Sequence, residues 1–192
     1  DKLLGGPQAG LIVGRSEVIA RLRAHPLCRA LRPDKATLAG LAVTLGHYLT
    51  GRARDDVPVW RMIGAGVDGL RARAEGWRER IDAGTGGADW AAVLSIREAL
   101  STIGGGSLPG ETLPTVVLAI ATPHPDAFAA RLRAADPPII ARVEDGAVLL
   151  DPRTVLPGQD DAVIAAIHQT LTAPPTAAPS PSTTYPPSPN RR

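Results

Sequence analysis

Cysteine, aromatic side chains and long apolar runs are all scarce in this chain. Of 192 residues one is cysteine, one methionine and one phenylalanine, and aromatics make up 3%. The single cysteine, Cys28, excludes an internal disulfide framework and suits a reducing compartment, so a cytoplasmic location is expected. One cysteine and four scattered histidines lack the ligand spacing of a zinc site, and no metal is expected. No apolar run reaches the roughly 20 residues that cross a bilayer, and no secretory pattern stands near the start. A membrane partner is therefore not expected. A dominant charge is missing too. The 21 basic and 19 acidic side chains leave a net charge of +2, too mild by itself to argue for nucleic-acid binding. There is no internal repeat. Glycine, proline, alanine and arginine are plentiful, which reads as coding bias more than function.

The length suits one ordinary domain, or a small domain and part of another. Residues 9 to 14 read as a short buried strand. Ser16 is placed to cap a helix over 17 to 24, with Val18, Ile19 and Leu22 on its apolar side. Pro26 breaks it, and Leu27 to Arg32 reads as a connection or single turn. Asp34 caps a strongly amphipathic helix in which Leu38, Leu41, Leu45, Tyr48 and Leu49 recur at helical spacing, with Gly51 ending it. Residues 58 to 83 read as further helix, weakened by Gly64, Gly66 and Gly76.

Gly84 to Gly87 reads as a flexible joint, after which the period changes. Trp90 to Ile96 fits strand or helix, and Leu113 to Ala121 fits a buried strand. Pro125 to Ala135 is a helix opened by its proline. Ile139 to Val143 and Ala147 to Leu150 flank an Asp-Gly turn and read as a hairpin. Asp160 to Thr172 closes the pattern as a helix with Val163, Ile164, Ile167 and Leu171 inward. The order suggests a small α/β sandwich, with helices on one face of a mostly antiparallel sheet. From Ala173 onward prolines alternate with Ser, Thr and Ala, and disorder is expected.

Three groups of residues carry chemistry. The chain opens Asp1-Lys2-Leu3-Leu4-Gly5-Gly6-Pro7-Gln8-Ala9-Gly10, a lysine directly before a Gly-Gly-Pro turn. A glycine-permitted turn can present an amine at a fixed angle, which a covalent-catalysis lysine needs, but such a lysine also reads as a plain surface residue. Arg29 and Arg32 lie three apart, so on one helical turn their guanidiniums would leave on the same side. Two such forks can clamp an oxyanion, or simply be a solvated basic turn. His25 reads as a structural histidine and Cys28 as a small buried residue. Gly104-Gly105-Gly106-Ser107-Leu108-Pro109-Gly110 lacks the Lys-Ser/Thr end of a nucleotide phosphate loop and has no helix after it.

The opening decapeptide resembles the cofactor-lysine segment of bacterial L-seryl-tRNA(Sec) selenium transferases, the selenocysteine synthases. The likeness continues through His25-Pro26-Leu27, Arg29-Ala30-Leu31-Arg32, Asp34-Lys35, Ile103 to Gly110 and Leu113-Pro114-Thr115, and covers about residues 1 to 172. It implies an α/β fold of the pyridoxal-phosphate transferase type I, aspartate-aminotransferase-like class. The expected division is the C-terminal end of the large cofactor domain (1–50), a helical bridge (51–83), a small α/β domain (84–172) and the tail (173–192).

The resemblance further implies that Lys2 binds pyridoxal 5'-phosphate covalently and serves as the base for the α-proton. Gly5 and Gly6 would shape the cofactor site, and Arg29 and Arg32 would hold selenophosphate. The implied reaction turns seryl-tRNA(Sec) into selenocysteinyl-tRNA(Sec) in a large ring of homodimers. The chain would then be the C-terminal portion of a longer enzyme, inactive alone. Two other readings stay open. One is a related pyridoxal-phosphate ammonia-lyase acting on an amino sugar acid. The other is a non-catalytic remnant or oligomerisation module.

Overall fold

The structure is a computed structural model, and it describes residues 1–84, 93–104 and 107–172. Eight α-helices and four strands are present among them. They are α1 (Ser16–Ala24), α2 (Leu27–Ala30), α3 (Lys35–Leu49), α4 (Ala53–Asp56), α5 (Pro58–Gly64), α6 (Val67–Gly84), β1 (Leu94–Thr102), β2 (Thr112–Ala121), α7 (Pro125–Arg133), β3 (Arg142–Glu144), β4 (Ala147–Leu150) and α8 (Asp160–Thr172). A 3-10 turn, Pro152–Thr154, follows β4. The strands form one sheet in the order β1-β2-β4-β3. The chain divides into two compact units that interleave along the sequence. The first holds Asp1–Glu75, Ile96–Val117 and Asp151–Pro157, and the second holds Gly76–Ser95, Leu118–Leu150 and Gly158–Arg192.

In the first unit α3 is the best-defined element, for local reasons. The Asp34 carboxylate accepts the backbone N–H of Thr37 at 2.8 Å and the Thr37 hydroxyl at 2.9 Å, a side-chain N-cap. At the other end Gly51 N–H donates to Tyr48 and Arg52 N–H to His47, with Gly51 at φ +71°. That pair of bonds is a Schellman stop, and it needs a residue that tolerates the left-handed region. The expected inward row is only partly realised. Leu41 and Thr44 are buried, whereas Leu38, Leu45 and Leu49 face solvent.

Pro58 opens α5, and extended backbone at Ala65 separates it from α6, so the helical stretch expected over 58 to 83 is two helices. Leu70, Ala74 and Val116 form one core cluster in this unit, with Ala65, Val67 and Ile96 half-buried around them.

A buried arginine closes the unit. Arg153 is 7% exposed and has no carboxylate partner among the described residues. Its guanidinium donates to the carbonyls of Met62 (2.6 Å), Ala65 (3.3 Å) and Pro114 (2.7 Å). Met62 lies in the last turn of α5, where carbonyls have no helical partner and the dipole favours a cation. The Asp151 carboxylate accepts the Arg153 backbone N–H and the Thr115 hydroxyl, both at 2.9 Å, which fixes the turn that presents the arginine. Arg73 binds the same segment through the carbonyls of Pro152 (2.7 Å) and Val155 (2.9 Å).

In the second unit the hairpin forms around Asp145 and Gly146, at φ 49° and 71°. Two consecutive positive φ values define the turn that matches strand twist. β4 pairs antiparallel with β3 (Val143 opposite Val148) and with the end of β2 (Ile120 opposite Val148). β4 is buried throughout, while the edge strand β3 is exposed and starts only at Arg142, later than the sequence suggests. In α7 Phe128, Ala129 and Leu132 are buried, and in α8 Val163, Ile164, Ile167 and Leu171 are, as their periodicity requires. Thr115 to Ile120 of β2 are buried without a gap, so both faces of that strand are shut off from water, not one.

Other expectations fail for plain reasons. Residues 9 to 14 form no strand, and Leu11, Ile12 and Val13 are 54%, 73% and 93% exposed. An apolar run without a pairing partner has no reason to be a ladder. Ser16 is the first residue of α1, and the cap position falls to Arg15, which offers no side-chain bond. Cys28 is exposed, its thiol donating to the Leu22 carbonyl at 2.8 Å. Residues 85–87 of the expected joint, Trp90 and the proline-rich tail lie outside the described residues.

Candidate active site

The site begins with a turn. Gly5 N–H donates to the Lys2 carbonyl at 3.0 Å, closing a β-turn over residues 2 to 5. Gly5 sits at φ +83°, and a Cβ there would come within 2.3 Å of Val57 Cγ1. At Gly6 a Cβ would stand 2.8 Å from the Thr44 hydroxyl oxygen. Pro7 in turn packs on Gly40, where a Cβ would meet its ring at 3.3 Å. The Gly-Gly-Pro segment is therefore pressed onto α3 along Gly40 and Thr44, one helical turn apart, and onto Val57 at the head of α5.

One turn further along α3 stands Tyr48. Its hydroxyl reaches the carbonyls of Leu4 (2.9 Å) and Leu3 (3.2 Å) and accepts the indole N–H of Trp60. Tyr48, Trp60, Arg54 and Ile63 also line an open, mostly apolar cavity of about 540 Å³. The sequence reading placed Tyr48 only as an apolar position. The spacing Gly40, Thr44, Tyr48 was the available signal: two small residues and a polar-tipped aromatic, four apart, invite another backbone to approach closely.

With its inner side filled, the turn directs Lys2 outward. Lys2 is exposed, and its amine makes no hydrogen bond or ion pair among the described residues. Lys2 and Lys35 are the only lysines in the chain. Arg29 lies on α2 and Arg32 just past its end at Leu31. Both are exposed, and neither has a carboxylate or other partner among the described residues. His25 plays a local part, its Nδ1 accepting the Leu27 N–H at 3.2 Å. Of the glycine run after β1, Gly104 sits at φ +110° and accepts two turn bonds, while Gly105 and Gly106 lie outside the described residues. No group of three or more His, Cys, Asp or Glu that could hold a metal occurs among the described residues. No helix there is long and apolar enough to cross a membrane.

The fold has a solved counterpart in D-glucosaminate-6-phosphate ammonia-lyase. That structure aligns over 87% of this chain and 40% of its own, with a TM-score of 0.50 and 20% identity, a likeness that speaks for fold alone. The mixed α/β architecture with an antiparallel sheet is that of the pyridoxal-phosphate transferases of the aspartate-aminotransferase-like class.

The family follows from sequence. The family model described as SelA, L-seryl-tRNA selenium transferase, matches residues 1–156, and the chain belongs to that family. It is 44% identical over 174 residues to the L-seryl-tRNA(Sec) selenium transferase of Desulfomicrobium baculatum, covering 89% of this chain and 37% of that protein. The transferase of Solidesulfovibrio magneticus is 46% identical over 160 residues, 81% of this chain and 33% of its own. That of Moorella thermoacetica is 41% identical over 174 residues, 89% and 36%. The chain thus spans about a third of the length of the relatives it matches.

Proposed function

We propose that this chain carries the cofactor-lysine end of an enzyme that converts seryl-tRNA(Sec) to selenocysteinyl-tRNA(Sec) with selenophosphate. Family membership supports the reaction class. The single observation that carries the site is the outward Lys2 amine on a turn packed from behind through Gly5 and Gly6. An amine with no partner, on a backbone that cannot shift freely, fits covalent attachment of pyridoxal 5'-phosphate. Lys2 would hold that group, and Gly5 and Gly6 would contribute through the shape of the bend. When bound, the cofactor supplies a sink for electrons at the substrate's α-carbon.

The remaining chemistry falls to side chains of this chain. Lys2 would also serve as the base for the α-proton. Arg29 and Arg32 would hold selenophosphate by charge-assisted hydrogen bonds, and both guanidiniums are free for it among the described residues. The net conversion exchanges the β-hydroxyl of serine for selenium. The same reading assigns residues 1–50 to the large cofactor domain, 51–83 to a helical bridge and 84–172 to the small domain. It also implies a cytoplasmic homo-oligomer, and activity that needs more polypeptide than these 192 residues.

The test uses the protein purified from its own cells, reduced with borohydride and mapped by mass spectrometry. The expected result is a pyridoxyl adduct on the Lys2 peptide and none on the Lys35 peptide. An unmodified Lys2 overturns the reading. Arg29→Ala with Arg32→Ala should then raise the KM for selenophosphate at least tenfold while leaving the adduct in place.

A further inference from the structure

We propose that Tyr48, oriented by Trp60, is a positioning residue for Lys2; the inference deepens the reading above and rests on it for its catalytic meaning. The argument is one of proton inventory. An indole N–H can only donate. Because Trp60 donates to the Tyr48 oxygen, that oxygen must accept, and its single proton is left for the turn. Two turn carbonyls stand within reach of it, those of Leu3 and Leu4. They belong to the two inner residues of the β-turn that Lys2 begins. These are the only side-chain hydrogen bonds to residues 1–10 among the described residues.

Val57, Thr44 and Gly40 press the turn from behind, but packing alone resists compression and not rotation of a peptide plane. The phenol supplies the missing directional restraint. Its one proton, nearest the Leu4 carbonyl, restrains the plane after Leu4, whose Gly5 N–H donates to the Lys2 carbonyl, and so the end of the turn from which the Lys2 side chain leaves. A tyrosine kept only as core would not need its hydroxyl.

The experiment compares the wild-type protein with Tyr48→Phe, Trp60→Phe and the packing control Thr44→Ala. Two quantities are read: hydrogen exchange of the Gly5 amide, and borohydride-trapped pyridoxal phosphate on Lys2 with Lys35 as background. In Tyr48→Phe the Gly5 amide should exchange about fivefold faster, the loss of one ordinary hydrogen bond. Trapping on Lys2 should fall in parallel. Trp60→Phe, which keeps the phenol but frees its rotation, should shift both in the same direction by less. It carries the comparison alone if Tyr48→Phe does not fold. Unchanged Gly5 exchange in both variants overturns the proposal, as does an equal change in Thr44→Ala. If wild-type Lys2 traps no cofactor while Gly5 still loosens in Tyr48→Phe, the cofactor reading falls and the positioning of Lys2 stands.

Discussion

Single residues decide whether the opening turn exists. Alanine at Gly5 would meet two penalties, a left-handed φ and an overlap with Val57. The backbone term alone is about 1–2 kcal/mol. Gly5→Ala should therefore lower the urea midpoint, and adding Val57→Ala should recover only the steric part. Gly6→Ala lacks the φ penalty and should be milder, since only the Thr44 side chain has to move. Arg153 is the other decisive residue. Arg153→Met leaves the part-buried carbonyls of Met62, Ala65 and Pro114 without this donor, and about 3 kcal/mol of stability should go, read from urea unfolding. Arg153→Lys should recover little, because one ammonium cannot serve carbonyls on α5 and β2 together. The sequence announced Lys2 through its neighbours. It gave no sign of Arg153, whose partners lie about 90 and 39 residues away in the chain.

At the scale of elements, the ends of helices were legible and their faces less so. Asp34 and Gly51 act where local chemistry places them, because a cap needs only residues a few positions apart. Hydrogen bonds from the Thr37 backbone and hydroxyl hold the Asp34 carboxyl below its ordinary value of 3.8. A lowered folded-state value means stabilisation that is present above the ordinary value and lost as pH falls through the lower one. Thermal melting should show this acid-side loss in the wild type. Asp34→Asn should keep the cap yet lack that pH dependence, and Asp34→Ala should lose the cap at neutral pH. The hairpin around Asp145-Gly146 was legible for the same local reason. The run Leu11-Ile12-Val13 misled, because hydrophobicity says what a segment avoids and not what it pairs with. Tyr48 was misread as an apolar position because helical period ignores the polar tip of a tyrosine.

For the molecule as a whole, order of elements and class of fold were readable. The chain passes between its two compact units five times along its length. The surface carries a consequence of its own. Leu11, Ile12, Val13, Leu31, Val43 and Leu49 are all more than half exposed within the first 49 residues. Apolar surface gathered in one stretch of chain is unusual for a soluble monomer. The 192-residue polypeptide should bind a fluorescent hydrophobic dye and self-associate in sedimentation. Serine at Ile12, Val13 and Leu49 together should reduce both; an unchanged profile would mean those side chains find cover by folding back.

Asp151–Pro157 returns to the first unit after an excursion of more than thirty residues, and it brings the guanidinium that seals the end of α5. A polypeptide halted at residue 150 would therefore keep every helix of that half and still lack its keystone. The two halves cannot be traded between relatives as cassettes cut at a single splice. Any successful chimera must carry residues 151–157 along with the helix they close.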